Sequence, residues 1–274
     1  MIELPEAVTL ARQFDSLIRG RRATVISTGN SPHKFTWYFG DQDRYESLCV
    51  GKQFAGARPM GSMVEVDIGD AHLILSEGAS PRLSPDAGSL PKKYQLLIGL
   101  DDGSAITVSV QMYGGIGIVP VDWEDNPYYV VARDATSPLS DAFTPEVFRS
   151  IVGSVGDNTS AKALLATEQR IPGLGNGVLQ DILFNARTHP RKKVKAMNDS
   201  DIARLHGAIR TTLKEMVDAG GRNTELDLTG SSGGYQTKMC RLTVDTPCPA
   251  CGAKIEKASY MGGSVYFCPE CQTV

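Results

Sequence analysis

Long apolar runs are missing from this 274-residue chain. No stretch approaches the roughly 18 uninterrupted apolar residues that a membrane helix needs. The start, Met1-Ile-Glu-Leu-Pro-Glu6, has neither a basic leader nor an apolar signal core, so a cytoplasmic location and no membrane partner are expected. An excess of positive charge is missing too: 28 Lys and Arg against 31 Asp and Glu give −3, which argues against a protein held to nucleic acid by overall charge alone. Internal repeats are absent, which excludes solenoids and arrays. Cysteine is sparse, six in all, and four of them fall in the last 27 residues. Cys49 and Cys240 stand apart and are expected to be buried thiols, because cytosolic proteins rarely keep disulfides.

What is present describes a soluble globular protein of about two domains, with 41% hydrophobic and 22% charged residues. Charge divides unevenly: residues 1–150 hold 13 basic against 19 acidic groups and residues 151–274 hold 15 against 12, so a polyanion should meet the C-terminal part first. Ala7, Leu10, Ala11, Phe14, Leu17 and Ile18 lie at helical spacing behind Pro5 and predict an amphipathic helix. Strand patterns follow over 23–27, 63–68 and 72–76, the last two joined by a Gly69-Asp70 turn, and over 94–100 and 105–110. Residues 121–144 lose all period and read as a connection. Helical patterns occupy 145–152, 160–168, 176–187 and 199–219, the last with Ile202, Leu205, Ile209, Leu213, Met216 and Val217 in one core stripe. Gly230–Gly234 reads as a flexible loop into the cysteine-rich tail.

Cys248-Pro-Ala-Cys251 and Cys268-Pro-Glu-Cys271, separated by 16 residues, have the spacing of a tetrathiolate zinc site. Four ligands leave no position for water, so one structural zinc ion is expected, without which so small a tail would hardly fold. Between two helix patterns lies Ile171-Pro-Gly-Leu-Gly-Asn-Gly177. Gly173 and Gly175 allow close backbone approach there, and Asn176 is placed to cap the next helix, whose N-terminus suits a phosphate. Arg187, His189, Arg191, Lys192, Lys193 and Lys195 add local positive charge.

The N-terminal Glu3-Leu4-Pro5-Glu6, the Gly-Leu-Gly-Asn turn and a terminal hairpin ending in Cys268-Pro-Glu-Cys271-Gln272 together resemble the formamidopyrimidine-DNA glycosylase / endonuclease VIII family. The likeness spans the chain and is strongest over 162–190. It implies an α+β protein: an N-terminal helix and β-sandwich domain over 1–135, a helix-two-turns-helix DNA-binding domain over 136–236, and a zinc finger over 237–274. It implies DNA repair on duplex DNA that is damaged or abasic, by a monomer. Lys162, Asn176 and Gly175 match the family's phosphate-binding element. Glu3 matches its acid/base carboxylate, and Glu6 matches a second family glutamate.

In the family a proline after the initiator methionine is the amine nucleophile; here that position is Ile2. Met60 stands where a DNA-binding lysine is expected, framed by Arg58 and Glu65, and Ala79 stands where a wedge methionine is expected. Met112-Tyr113 aligns with a gap-filling Arg-Phe pair, and Gly263 with the hairpin arginine. Two readings follow. One is a DNA glycosylase/AP lyase that excises a base and cleaves an abasic site through an N-terminal amine, with Glu3, Glu6 and Ile2 at the catalytic centre and Lys162, Asn176, Gly175, Arg58 and Tyr113 on DNA. The other is a catalytically inactive or altered-substrate binder of damaged DNA. A protein-interaction module built on the zinc hairpin is a third class. His33 is expected to serve packing; Trp37 or Tyr38 would stack on a base if that segment reaches DNA, and Lys34 and Lys52 are candidates to replace the missing lysine.

Overall fold

The computed structural model describes residues 1–274, the side chain of residue 87 excepted. Two compact units are present: residues 1–133 with 220–234, and residues 134–219 with 235–274.

The first unit opens with α1 (Leu4–Gln13), which begins with a capping box: the Glu3 side chain accepts from the first-turn backbone while Glu3 N–H donates to Glu6 at 3.2 Å. A π-helical turn, Phe14–Ile18, carries the same apolar stripe onward. Then come β1 (Ala23–Thr28), β2 (Thr36–Phe39), α2 (Tyr45–Cys49), β3 (Phe54–Met60), β4 (Met63–Ile68), β5 (Ala71–Leu75), β6 (Ala79–Ser84), β7 (Leu96–Leu100), β8 (Ala105–Val110), β9 (Gly114–Pro120) and α3 (Pro127–Asp134). One sheet runs β2-β9-β5-β4-β3 and the other β1-β7-β8-β6. Between them Ile68, Leu73, Leu75, Ile98, Ile106, Ile116 and Ile118 form the core, joined by Ala7, Leu10 and Phe14 of α1. Both expected hairpins are present, β4–β5 turning through Gly69 at φ 58° and β7–β8 through residues 101–104.

Three sequence expectations differ here. Residues 121–144 contain α3, started by Asn126, whose side chain accepts from Tyr128 N–H at 2.9 Å and Tyr129 N–H at 3.2 Å. Tyr129 and Ala132 bury against Met60, Met63, Ile74 and Val119, a contact no local period announces. Residues 230–234 are no loose leader: Leu228 is in the sandwich core, and a Cβ at Gly233 would lie 2.2 Å from the Gly221 backbone. The segment 220–234 therefore groups with the sandwich rather than with its chain neighbours. Cys49 is buried, which pushes its thiol up to about 12, but Cys240 is only half-buried.

The second unit holds α4 (Pro145–Gly153), α5 (Ala161–Ala166), α6 (Val178–Asn185), α7 (Asp199–Asp218) and a hairpin of β10 (Glu256–Tyr260) and β11 (Gly263–Phe267). Thr144 and Ser160 cap α4 and α5, and Asn198 with Asp201 forms a capping box on α7. Helix α6 differs: its N-cap is Gly177, without a side-chain cap, and Asn176 turns elsewhere. Residues 178–184 are all buried, so α6 is the helix around which this unit packs. Among the described residues no helix is long and apolar enough to cross a membrane.

Candidate active site and nucleic-acid interface

Ile2 fixes the N-terminal site. It is 3% exposed and packs in the sandwich core, which determines where residues 1 and 3 emerge. Glu3 and Glu6 are both buried, and so is Arg222, from the 220–234 segment. Arg222 gives Nη2–H to Glu6 Oε2 at 2.7 Å and Nε–H to Glu6 Oε1 at 2.9 Å, its backbone N–H also reaches Oε1 at 3.2 Å, and Nη1 stands 3.6 Å from Glu3 Oε2. With Glu3 N–H added, the Glu6 carboxylate accepts four hydrogen bonds. Burial alone pulls the guanidinium down, but Glu3 and Glu6 more than offset it and hold Arg222 charged. Buried ions of this kind persist only when paired.

The Met1 α-amine donates to the Glu225 carboxylate. Both line a cavity of about 210 Å³ together with Ile2, Glu6, Ala79 and Tyr113. Its far wall is a turn over 76–79, closed by Ala79 N–H to Ser76 O at 2.9 Å and tied to β9 through Gly115 N–H to Ser76 Oγ at 2.7 Å. Gly78 is required there, because a Cβ would stand 1.5 Å from Tyr113 O. The turn carries Glu77, whose carboxyl is raised first by burial and then by Glu3. Tyr113 is raised first by Glu77, then by burial and Glu3. An α-amine, several carboxyls and the guanidinium groups of Arg82 and Arg222 thus share one neighbourhood. Arg222, Glu225 and Glu77 belong to no motif, and the sequence offered no signal for them beyond their charge.

Other candidates sit differently. Arg58 pairs with buried Glu65 and with Asp67, the latter at 3.0 Å, so its charge is matched within the sheet. Tyr129 also donates to Glu65. Met60 is buried under α3, and Ala79 is a buried part of the cavity wall. Lys52 pairs with Asp70 at 2.9 Å. Lys34 lies over the Phe35 ring, and His33 is half-buried beside it. Tyr38 turns inward and donates to Gln95 O at 3.1 Å, whereas Trp37 faces out.

In the second unit the sequence candidates converge. Lys162 Nζ donates to Tyr260 O at 2.8 Å, and Asn176 Nδ2 donates to Ser264 O at 3.1 Å. Between those acceptors lies Gly263, where a Cβ would be 3.4 Å from Lys162 Nζ and 3.7 Å from Asn176 Nδ2. Burial lowers the Lys162 ammonium. Gly175, half-buried, opens the turn into α6, and its carbonyl accepts from Leu179 N–H at 3.3 Å. Gln180, which no motif singled out, accepts from Tyr266 N–H at 3.1 Å and so fixes β11 against α6.

The sulfurs of Cys248, Cys251, Cys268 and Cys271 lie within 4.8 Å of one another, with Cys251–Cys268 at 3.4 Å and Cys248–Cys271 at 3.9 Å. Tetrahedral zinc with Zn–S of about 2.3 Å needs sulfurs roughly 3.8 Å apart, so the donor set fits. Gln272 ties the knuckle to the helices: its Oε1 accepts from Cys268 N–H at 2.9 Å, and its Nε2 donates to Thr188 O at 3.0 Å.

The formamidopyrimidine-DNA glycosylase H2TH domain matches residues 135–227. The formamidopyrimidine-DNA glycosylase of Symbiobacterium thermophilum is 30% identical over 281 residues, covering 100% of this chain and 90% of that protein. This chain belongs to the formamidopyrimidine-DNA glycosylase family. The Brevibacillus brevis formamidopyrimidine-DNA glycosylase is 26% identical, with 99% of each chain covered. Among solved structures, Lactococcus lactis Fpg in complex with abasic-site DNA has a TM-score of 0.86 at 25% identity, covering 99% of this chain and 100% of that one. The MutM (Fpg) protein of Thermus thermophilus shares the fold, with a TM-score of 0.82 at 24% identity over 98% of each chain. As a formamidopyrimidine-DNA glycosylase family member, this chain carries the matched H2TH segment over 135–227 and a four-cysteine cluster at its C-terminal end.

Proposed function

We propose that this protein is a DNA-repair glycosylase with abasic-site lyase activity on damaged duplex DNA, its nucleophile the N-terminal α-amine. One observation carries the reading: the Met1 amine and its partner Glu225 line a cavity whose wall also holds Glu6, the carboxylate with which buried Arg222 pairs while standing 3.6 Å from Glu3. The amine attacks C1′ of the sugar and forms an imine. At an intact nucleotide the base leaves with its bonding pair and a proton; at an abasic site the aldehyde oxygen leaves as water. Loss of a C2′ proton then expels the 3′ phosphate. Glu225 is placed to take the ammonium proton, and Glu3 to exchange protons at the sugar. Glu6, saturated by Arg222 and Glu3 N–H, positions rather than reacts. Ile2 holds the amine in place from the core.

The remaining roles follow the family likeness. Lys162, Asn176 and Gly175 bind phosphates and set register, while Tyr113 meets the bases. Arg58 contributes less, being paired already. Zinc, bound by Cys248, Cys251, Cys268 and Cys271, is structural and braces the hairpin that Lys162 and Asn176 touch. Functionally, 1–135 carries the chemistry with Arg222 and Glu225 of the 220–234 segment, the rest of 136–236 the helix-two-turns-helix grip and 237–274 the zinc finger.

Borohydride trapping on an abasic duplex, followed by peptide mapping, tests the reading. An adduct on residue 1 is expected. Neither adduct nor nicking at large protein excess would defeat it.

A further inference from the structure

The chemistry above leaves one aromatic surface unused. On edge strand β2, Trp37 is 54% exposed, and Phe35 just before the strand is 50% exposed. Strand β2 pairs only with β9, and the residue across from Trp37 is Gly115. No side chain on the adjoining strand therefore covers the indole. Phe39, two residues along on the same face, is covered by Trp123, with centroids 5.5 Å apart. Beside Trp37 stands Tyr113, with centroids 6.1 Å apart and planes inclined by 58°. A tilted pair leaves an outer face of each ring open. Tyr113 also lines the Met1 cavity, so the aromatic surface is continuous with the cavity wall.

Exposed aromatics on an open sheet edge invite unwanted pairing, and an uncovered indole there calls for a ligand. The local charge says which kind. Residues 29–39 hold Lys34 and no carboxylate, and Lys34 Nζ lies 5.6 Å from the Phe35 ring centre. Open π-faces beside a cation suit an unstacked nucleobase with its phosphate.

We propose that Trp37, together with Tyr113, is a stacking platform for a nucleobase displaced from the duplex beside the lesion. This rests on the reading of the protein as one acting on damaged DNA, and it adds a subsite that governs strand binding rather than bond cleavage.

Trp37 and Trp123 are the two tryptophans, so Trp123→Phe leaves Trp37 as the sole indole emitter. Titrating that full-length, zinc-loaded variant with a duplex holding a tetrahydrofuran abasic analogue is expected to quench its emission. Trp37→Ala should weaken binding of the same duplex roughly five- to a hundredfold, with Trp37→Phe retaining most of the affinity. The slope of log Kd against log salt should be unchanged in all three, since no phosphate contact is lost. An abasic duplex should still give the borohydride adduct with saturating Trp37→Ala. Unquenched emission, or an unchanged affinity of Trp37→Ala, overturns the platform while the adduct leaves the glycosylase reading standing. Absence of both DNA binding and adduct in the unsubstituted protein overturns both.

Discussion

Arg222 and Glu6, 216 residues apart in sequence, meet through hydrogen bonds of 2.7 and 2.9 Å where each is more than nine-tenths buried. The pair ties the 220–234 segment to the first turn of α1 and counters the charge of Glu3. Arg222→Met should therefore destabilise the protein by about 3–5 kcal/mol, because Glu3 and Glu6 remain buried without a counter-ion. Urea unfolding measures this. Pairing the change with Glu6→Gln should recover part of the loss, and strict additivity would show that the two residues are not coupled.

Ile2→Pro relocates the amine. With proline at position 2 the initiator methionine is expected to be removed, and the borohydride adduct should move to residue 2. Trapping should rise by up to about a hundredfold if placement limits the reaction, the scale associated with a 1 Å misplacement. An unchanged rate with a relocated adduct would show that placement is not limiting.

Removing the metal should undo the hairpin. Metal analysis should find one zinc per chain, and Cys251→Ser or a strong chelator should lower the thermal midpoint and weaken DNA binding together. Gln272→Ala, which removes the links to Cys268 N and Thr188 O, should lower the midpoint with zinc still bound. Full stability after chelation would rule out a structural metal.

Gly78→Ala should destabilise by about 3 kcal/mol, since its Cβ would fall 1.5 Å from Tyr113 O and backbone must shift. Gly153→Ala, where an added Cβ would meet nothing within 4 Å beyond its own helix turn, is the control and should be neutral or mildly stabilising. Equal effects in thermal melts would contradict the packing of the 76–79 turn.

Glu77 has a carboxyl raised from its ordinary value near 4.5 by burial and by Glu3. An acid raised on folding is protonated more readily in the native state, so it destabilises that state as pH climbs past the unfolded value and most fully above the folded one. Glu77→Gln removes the effect. Its stability advantage over the unsubstituted protein should be smallest below about pH 4.5, grow as pH rises past that value and level off above the folded one. A difference that stays constant from below pH 4.5 upward would rule out the raised carboxyl.

The groups that read plainly from sequence were those whose partners lie close by. The α1 stripe, the β4–β5 and β7–β8 hairpins and the α7 stripe are set by side-chain period and turn chemistry within a few residues. The four cysteines are legible for the same reason, two from each knuckle. Strands β2, β3, β6 and β9 were not legible. Strand β9 is rich in glycine, and Gly115 and Gly117 earn their places only against the Phe39 ring and backbone. Helix α3 likewise exists because Tyr129 and Ala132 find an apolar sheet face to cover.

By itself, then, the chain order determined the α+β pattern and the four-cysteine knuckles, products of local backbone period and spacing, while Glu3 and Glu6 stood out only through the family resemblance. Only the tertiary structure decided which charges oppose one another. It brought Arg222 to Glu6, Glu225 to the Met1 amine, and Lys162 and Asn176 to Gly263, and it left Trp37 uncovered. The reason is physical: burial energies and ion pairing act through space, and a residue two hundred positions away exerts them as strongly as a neighbour.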